Sequence, residues 1–378
     1  MKKVYMFVNV DWFFLSHRIS LAQNAFQKGI DMCVYADLTG IKVTSKDDKY
    51  SLHQSPLSRS KRNVFSLIIE LIRVYFLIHK NKPDLIHAVT IKPIILLGIV
   101  SRLIGIPFIG AVSGLGPVFS DETFFKRIRL RFVMVLYRYI FNTKSSVIIC
   151  QNSHDKSVLQ SFNIGKNPII TLPGSGVDLE RFKPIAIEEK PPIILMACRI
   201  LEEKGIYEFC AAAASFKSKN NLEARFILAG PIDSKSPSAI LERNLVPLCQ
   251  ESGVEYVGDR KDLNLLLASA SLFILPSYYS EGMPKVLQEA AACGVPIITT
   301  DHPGCRDSIL SEKTGILIEP RNSKALYSAI SNLISNPDRL IEMGKSGREL
   351  AEKLFDENKV REAHYSLYEK YLSETLPL

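Results

Sequence analysis

The stretch Ser280-Glu281-Gly282-Met283-Pro284-Lys285-Val286-Leu287-Gln288-Glu289-Ala290-Ala291-Ala292-Cys293-Gly294-Val295-Pro296 decides the fold. An apolar run at 272–275 ends shortly before it and another at 296–299 closes it, so it reads as strand, polar loop, helix and strand. Pro284 stands where the first helical position tolerates proline, because the amide it lacks would have no partner there. Gly294 stands where the chain leaves the helix. The opening of such a helix presents free N–H groups and the positive end of its dipole, and Gly282 lets an anion approach the backbone. Glu281 precedes the helix and Glu289 lies about two turns in, roughly 12 Å apart at 1.5 Å per residue if the segment is regular.

The same alternation runs outward in both directions. Apolar runs at 4–10, 31–35, 85–88, 107–111, 147–150 and 169–172, then at 193–197, 225–228, 255–257, 272–275, 296–299 and 315–318, are separated by longer segments of helical pattern. Strands alternating with helices make parallel sheets with crossover connections. Between the halves, 182–192 is rich in proline and charge, the composition of a linker. The expected fold class is α/β, with two Rossmann-like doubly wound parallel-sheet domains facing a cleft. They are residues 1–183 and residues 184–355, followed by 356–378, whose helix is a candidate to return to the first domain. Open α/β sheets bind ligands at the carboxyl ends of their strands, so the site is expected between the domains. After Pro320 the pattern is helical through 322–335, 337–354 and 358–372.

With 378 residues, 47% hydrophobic and 23% charged, the chain has enough apolar mass for a sizeable core and is neither disordered nor fibrous. Lys and Arg total 47 against 39 Asp and Glu, a net charge of +8 that points to an anionic partner: nucleic acid, an anionic membrane or a phosphorylated small molecule. The seven cysteines are scattered and mostly set in apolar runs, and no C-x-x-C occurs, so a reducing compartment is expected and a disulfide or metal framework is not. The run 4–10 is too short for a signal peptide and reads as the first strand. No segment offers the roughly 20 apolar residues of a spanning helix, so a soluble or peripheral protein is expected.

A second cluster, Arg199-Ile200-Leu201-Glu202-Glu203-Lys204-Gly205, follows the first strand of the second half. Arg199 and Lys204 have two readings: cations that neutralise a diphosphate leaving group, or surface charges balanced by Glu202 and Glu203. Glu281 and Glu289 also have two. They bind the sugar and the ribose of a nucleoside-diphosphate sugar, or one caps a helix while the other is solvated. A G-x-G-x-x-G after the first strand is absent, which argues against a dinucleotide oxidoreductase.

Taken together, Glu281 and Glu289 in the frame E-G-M-P-x-V-x-x-E-A-x-A-C-G-x-P, Arg199 and Lys204-Gly205 upstream, and Gly174-x-Gly176-Val177-Asp178 give a pattern that resembles glycosyltransferase family 4 over nearly the whole chain. The resemblance implies a GT-B fold, retention of anomeric configuration and a nucleotide-sugar donor, with uridine the family's usual base. It implies a catalytic set of Arg199 and Lys204 on the diphosphate and Glu281 on the donor sugar. It also implies a donor-binding frame of Gly282, Met283, Pro284, Val286 and Glu289, in which the amides of Gly282 and Met283 meet the phosphates and Glu289 meets the ribose. In the first half, Thr90-Ile91-Lys92-Pro93, Val112-Ser113-Gly114-Leu115-Gly116 and Phe119 look like the branch that extends polyprenyl-diphosphate-linked glycans in capsule, O-antigen or glycoprotein oligosaccharide synthesis. A polyprenyl-diphosphate-linked saccharide is then the implied acceptor. Lys92, Ser113 and Gly114 are acceptor or phosphate candidates, as is His17, which alternatively caps the first helix.

Two loops depart from the family pattern. Asp11-Trp12 stands where many members carry Gly-Gly, and Val112-Ser113-Gly114 where many carry a histidine. Transfer is expected by front-face attack, with the leaving diphosphate helping to take the acceptor proton and the two cations stabilising it. No D-x-D occurs, so neither a bridging metal nor a cofactor is expected. Three rivals stay open. A GT-B-fold nucleotide-sugar epimerase would need acid and base groups around the sugar, and a non-catalytic glycolipid-binding protein would have no use for Arg199, Lys204 and Glu281 together. A nucleic-acid binder would set its cations in an aromatic-studded groove, not among aliphatic runs.

Residues 124–141 read as an amphipathic helix. At 100° per residue Phe124, Phe125, Ile128, Phe132, Val135, Leu136 and Tyr139 share one face, while Arg127, Arg131 and Arg138 share another, flanked by Lys126 and Arg129. That combination suits the headgroup boundary of an anionic bilayer and would hold a cytoplasmic protein on the inner face of the cell membrane. Residues 61–82, with a basic start and an apolar middle, have the same reading, and both segments also have a plainer one, a helix packing its apolar face on its own sheet with its charges in water.

Overall fold

The apolar runs form strands because β-branched and aliphatic side chains suit a sheet covered on both faces. A computed structural model describes residues 1–40, 49–58, 63–115, 124–185, 191–219, 222–234 and 236–373, with the backbone alone for 124–127. The first half runs β1 (Lys2–Val10), α1 (Asp11–His17), α2 (Ile19–Ala25), β2 (Ile30–Asp37), β3 (Tyr50–Gln54), α3 (Val64–Asn81), β4 (Leu85–Val89), α4 (Ile91–Ile104), β5 (Phe108–Val112), α5 (Phe124–Phe141), β6 (Ser146–Cys150), α6 (Ser153–Ser161) and β7 (Ile170–Thr171). The second runs β8 (Ile193–Ala197), α7 (Ile206–Lys219), β9 (Arg225–Ala229), α8 (Glu242–Ser252), β10 (Val254–Tyr256), α9 (Leu263–Ala268), β11 (Leu272–Leu275), α10 (Lys285–Ala292), β12 (Ile297–Thr300), β13 (Gly315–Ile318), α11 (Ser323–Ile334) and α12 (Pro337–Leu350), and α13 (Glu357–Ser373) ends the chain.

Two parallel sheets result, in the orders β3-β2-β1-β4-β5-β6-β7 and β10-β9-β8-β11-β12-β13. Each is doubly wound: the order turns back beside β1 in one and beside β8 in the other. The strand at Tyr50–Gln54 is not among the expected runs. It is half polar and pairs only with β2, and an edge strand needs no continuous apolar run. The segment expected to be helical over 337–354 is α12 followed by a π-helical turn at Ala351–Phe355.

Contacts divide the chain into Met1–Ser175 with Val360–Leu378, and Gly176–Lys359. The division falls before the proline-rich segment. Val177 N–H donates to the Phe355 carbonyl, Glu357 N–H donates to the Val177 carbonyl, and Phe182 is buried in the second core. Residues 186–190 of the expected linker lie outside the described residues. No helix among the described residues is long and apolar enough to cross a membrane.

In the first unit, α3, α4 and α5 share one core with one face of the sheet through Val74, Ile78, Ile94, Leu97, Tyr137 and Ile140. On the other face, α1, α2 and α13 bury Phe14, Leu21, Ala22, Tyr365, Tyr368 and Tyr371. This second layer encloses polar groups. Arg18 is buried and its Nη1 lies 3.2 Å from His364 Nε2, while His364 Nδ1 lies 2.8 Å from the Val360 carbonyl. His87 Nδ1 and the Tyr368 hydroxyl are hydrogen-bonded at 2.7 Å. The arrangement requires a neutral His364 that accepts from Arg18. Burial, with Arg18 adding to it, pushes the His364 pKa down to about 3, and burial lowers that of His87 too. A histidine lowered in this way adds stability that is fully present above its unfolded pKa of about 6.5 and is lost as pH falls toward the folded value. Thermal melting followed by tyrosine near-UV dichroism should therefore show stability declining as pH falls from about 6.5 to about 4. His364→Gln, which keeps an acceptor for Arg18 but does not titrate, should flatten that slope.

Candidate active site

The charged groups of the second unit gather at carboxyl ends of strands. Arg199 and Lys204 follow β8, Asp233 follows β9, and Ser277, Tyr279 and Glu281 follow β11. Strands β8 and β11 are neighbours where the strand order reverses, the point at which loops of an open α/β sheet diverge and leave room for a ligand.

Lys204 is 6% exposed, too buried for a surface cation, and its Nζ lies 2.6 Å from Glu281 Oε1 and 5.5 Å from the centre of the Tyr279 ring. Burial alone would lower the ammonium pKa. Glu281 outweighs it, and the pKa is raised above its ordinary value, so Lys204 stays charged. Ser277 Oγ is 3.3 Å from the same carboxylate oxygen and 3.2 Å from the Glu203 carbonyl, which also accepts Tyr278 N–H at 2.9 Å. Arg199 Nη1 lies 3.4 Å from Asp233 Oδ2. Lys204 thus pairs with a carboxylate from the loop after β11, and Arg199 reaches one from the loop after β9. The thiols of Cys198 and Cys305 are each pushed up to about 12 by burial and stay protonated.

Glycines let these loops close on one another. Gly205, at φ 84°, runs so near Pro276 that a Cβ would fall 2.4 Å from the Pro276 carbonyl. Gly304, at φ 87°, covers Gly282, and a Cβ there would fall 2.0 Å from the Gly282 carbonyl. Helix α10 starts at Lys285, and Pro284, at φ −61° and ψ 121°, is its extended cap residue, not its first helical one. Regular helix therefore begins after Glu281, and the distance from Glu281 to Glu289 is not a helical rise. Met283 and Val286 pack against the second core, and Pro284 is buried. Glu289 is 8% exposed, not solvated; burial raises its carboxyl pKa, and Lys285 and Arg181 oppose this.

In the first unit, Ser113 and Gly114 follow β5 and Lys92 follows β4. Lys92 Nζ lies 2.6 Å from Glu70 Oε2 and donates to the Ser58 carbonyl at 2.7 Å, which ties α4 to α3. Thr90 opens α4 at φ 74° and ψ 161°, a backbone region that costs a non-glycine residue roughly 1–3 kcal/mol. His17 is the last residue of α1, stacked on Phe13 at 4.5 Å with Nδ1 2.6 Å from Ser16 Oγ. Asp11 is buried and accepts Thr39 N–H at 2.7 Å and the Thr39 hydroxyl at 2.8 Å, fastening the loop after β2 to the start of α1. On α5, Arg129 and Arg131 are exposed, and Arg138 donates to the Phe162 carbonyl at 2.6 Å. The side chains of Lys126 and Arg127, and residues Gly116 and Phe119, lie outside the described residues.

Sequence reading passed over Ser277 and Asp233. Both sit in loops just past a strand, and that position was the available signal.

The family profile described as Glycosyl transferases group 1 matches residues 178–350, and that described as Glycosyl transferase 4-like matches residues 3–152. The N,N'-diacetylbacillosaminyl-diphospho-undecaprenol alpha-1,3-N-acetylgalactosaminyltransferase of Campylobacter jejuni is 30% identical over 275 residues, 69% of this chain and 70% of that protein. This chain belongs to the group 1 glycosyltransferases. A UDP-Gal:alpha-D-GlcNAc-diphosphoundecaprenol alpha-1,3-galactosyltransferase of Escherichia coli is 27% identical to the glycosyltransferase over 278 residues, 69% of this chain and 68% of its own. The structure of Anabaena HepE in complex with UDP matches with a TM-score of 0.77 at 16% identity, over 98% of this chain and 100% of that one, which is a likeness of fold. The two doubly wound sheets are those of the GT-B fold. In the glycosyltransferase, Gly304→Ala should lower the stability of the second unit by about 1–3 kcal/mol, through a strained φ and a displaced Gly282 turn. Urea unfolding with an unchanged m value measures it.

Proposed function

We propose that this glycosyltransferase moves a sugar, an N-acetylhexosamine among the candidates, from a UDP-linked donor to a polyprenyl-diphosphate-linked saccharide, with retention and without a metal. The observation that carries the reading is the buried Lys204–Glu281 pair beside Arg199, three charged groups at the strand-order reversal of the second sheet. Relatives whose names specify undecaprenyl-diphosphate-linked substrates support the acceptor class, and the UDP complex of HepE supports the base.

In this reading Arg199 and Lys204 take the donor diphosphate. Glu281 meets the donor sugar, the amides of Gly282 and Met283 meet phosphate oxygens, and Glu289 meets the ribose. The acceptor hydroxyl oxygen bonds to the anomeric carbon on the face the diphosphate leaves. The carbon–oxygen bond to the β-phosphate breaks with its electron pair going to the phosphate, and the acceptor proton passes to a phosphate oxygen. The two cations stabilise the charge that develops, in a site where Lys204 is already desolvated. His17, Lys92, Ser113 and Gly114 serve the acceptor side. The cations of α5 (Lys126, Arg127, Arg129, Arg131 and Arg138) face the anionic inner surface of the membrane that carries the acceptor.

Incubation with UDP-sugars and a polyprenyl-diphosphate-linked sugar should give an acceptor-dependent product whose anomeric configuration, read by NMR, matches the donor's, in the presence of EDTA. Lys204→Ala should lower turnover by ~10²-fold or more through lost leaving-group stabilisation. Near-native turnover in that variant would remove the assignment.

A further inference from the structure

Charge in the first unit is gathered on one layer. Of the chain's 47 Lys and Arg, nine lie on α3, α4 and α5, and of its 39 Asp and Glu only Glu70 does, buried against Lys92. These three helices therefore account for the whole net charge of +8, and the rest of the chain is balanced. They form one surface: all three pack into the same core, and the Arg102 guanidinium of α4 lies 4.7 Å from the centre of the Tyr139 ring of α5.

Helix α3 has more apolar surface than its core contact uses. Glu70, Val74 and Ile78 face inward, while Phe65 is 81% exposed and Phe76 64%, with Val64, Ile68, Ile69 and Ile72 on the same outer arc. Arg73 and Lys80 are exposed at the margin of that arc. A helix packed only on its own sheet carries polar residues there. An apolar patch rimmed by polar groups marks an interaction surface. Between α3 and α4 the surface dips into a cavity of about 400 Å³ lined by Tyr75, His79, Lys82, Leu103, Ile104 and Ile106. Leu103 of α4 and Phe132 and Val135 of α5 continue the exposed apolar surface.

We infer that the outer surface of α3, α4 and α5 is a bilayer-docking face, with the apolar arc of α3 as the element that enters the headgroup boundary. Exposed Arg102 of α4 and Arg129 and Arg131 of α5 then lie against anionic headgroups. This deepens the proposed function and rests on it, because a polyprenyl-linked acceptor is membrane-borne. Charge selects the occupant. A second copy would oppose one strongly basic face to another, whereas anionic lipid complements the basic margin and accepts the aliphatic and aromatic arc. Nucleic acid would leave that aliphatic arc without a partner.

Vesicle flotation of the full chain tests the face. The protein should float with phosphatidylethanolamine–phosphatidylglycerol vesicles and not with phosphatidylcholine alone, and binding should weaken as salt rises from about 50 to about 500 mM. Phe65→Ser with Phe76→Ser replaces two exposed side chains, so folding should be retained, as circular dichroism would show. It should cut vesicle binding by about tenfold or more. Undiminished binding in the double variant would overturn the role of α3, and absence of flotation in the parent at low salt would overturn the face. A dimer that dissolves in the double variant, without flotation of the parent, would assign the surface to a second copy and overturn the inference equally. Transfer to a water-soluble short-prenyl acceptor, run in parallel, should be unchanged in the double variant. A parent that floats but transfers no sugar would sink the proposed activity and leave the docking face standing.

Discussion

Taking the Lys204 ammonium out of water costs several kcal/mol unless an anion meets it, and much of the second unit follows from that requirement. Glu281 meets it, and it does so from a loop that must be held against the turn carrying Lys204. Ser277 and the Glu203 carbonyl brace that approach, Gly205 allows the turn to run against Pro276, and Gly304 allows the next loop to cover Gly282. Removing one partner of such a pair strands the other, at a cost of about 3–5 kcal/mol.

The first unit divides its chemistry between two helical layers. The layer of α1, α2 and α13 is inward-looking: Arg18 pairs with His364 and His87 with Tyr368 beneath it, and the tyrosines of α13 close the core. The layer of α3, α4 and α5 looks outward, with almost no acidic residue and with apolar side chains left over after the core is filled. The same sheet thus supports a sealed polar face and a basic, apolar one.

Strands were legible because covered parallel strands read as short continuous apolar runs, and most begin and end within a residue or two of the reading. The Tyr50–Gln54 strand was not, since an edge strand needs no such run. Proline and charge mark 182–192, whereas the contact boundary falls before it, because Val177 and Phe182 are committed to the second unit by contacts distant in sequence. At the site, Arg199, Lys204 and Glu281 stood out as residue types in a motif. Ser277 and Asp233 carry no motif and acquire meaning only through what they touch.

The sequence by itself determined the alternation of strand and helix, the membership in a glycosyltransferase family and the size of the net charge, because periodicity, motif and composition are local properties of the chain. Only the tertiary structure decided that Lys204 pairs with Glu281, 77 residues away, and not with its neighbours Glu202 and Glu203. Only the structure, too, put Glu289 in the interior and gathered the +8 onto one layer of three helices. Strand order decides these things. It brings the loops after β8 and β11 side by side and lays α3, α4 and α5 on one face, and no local pattern of residues encodes that order.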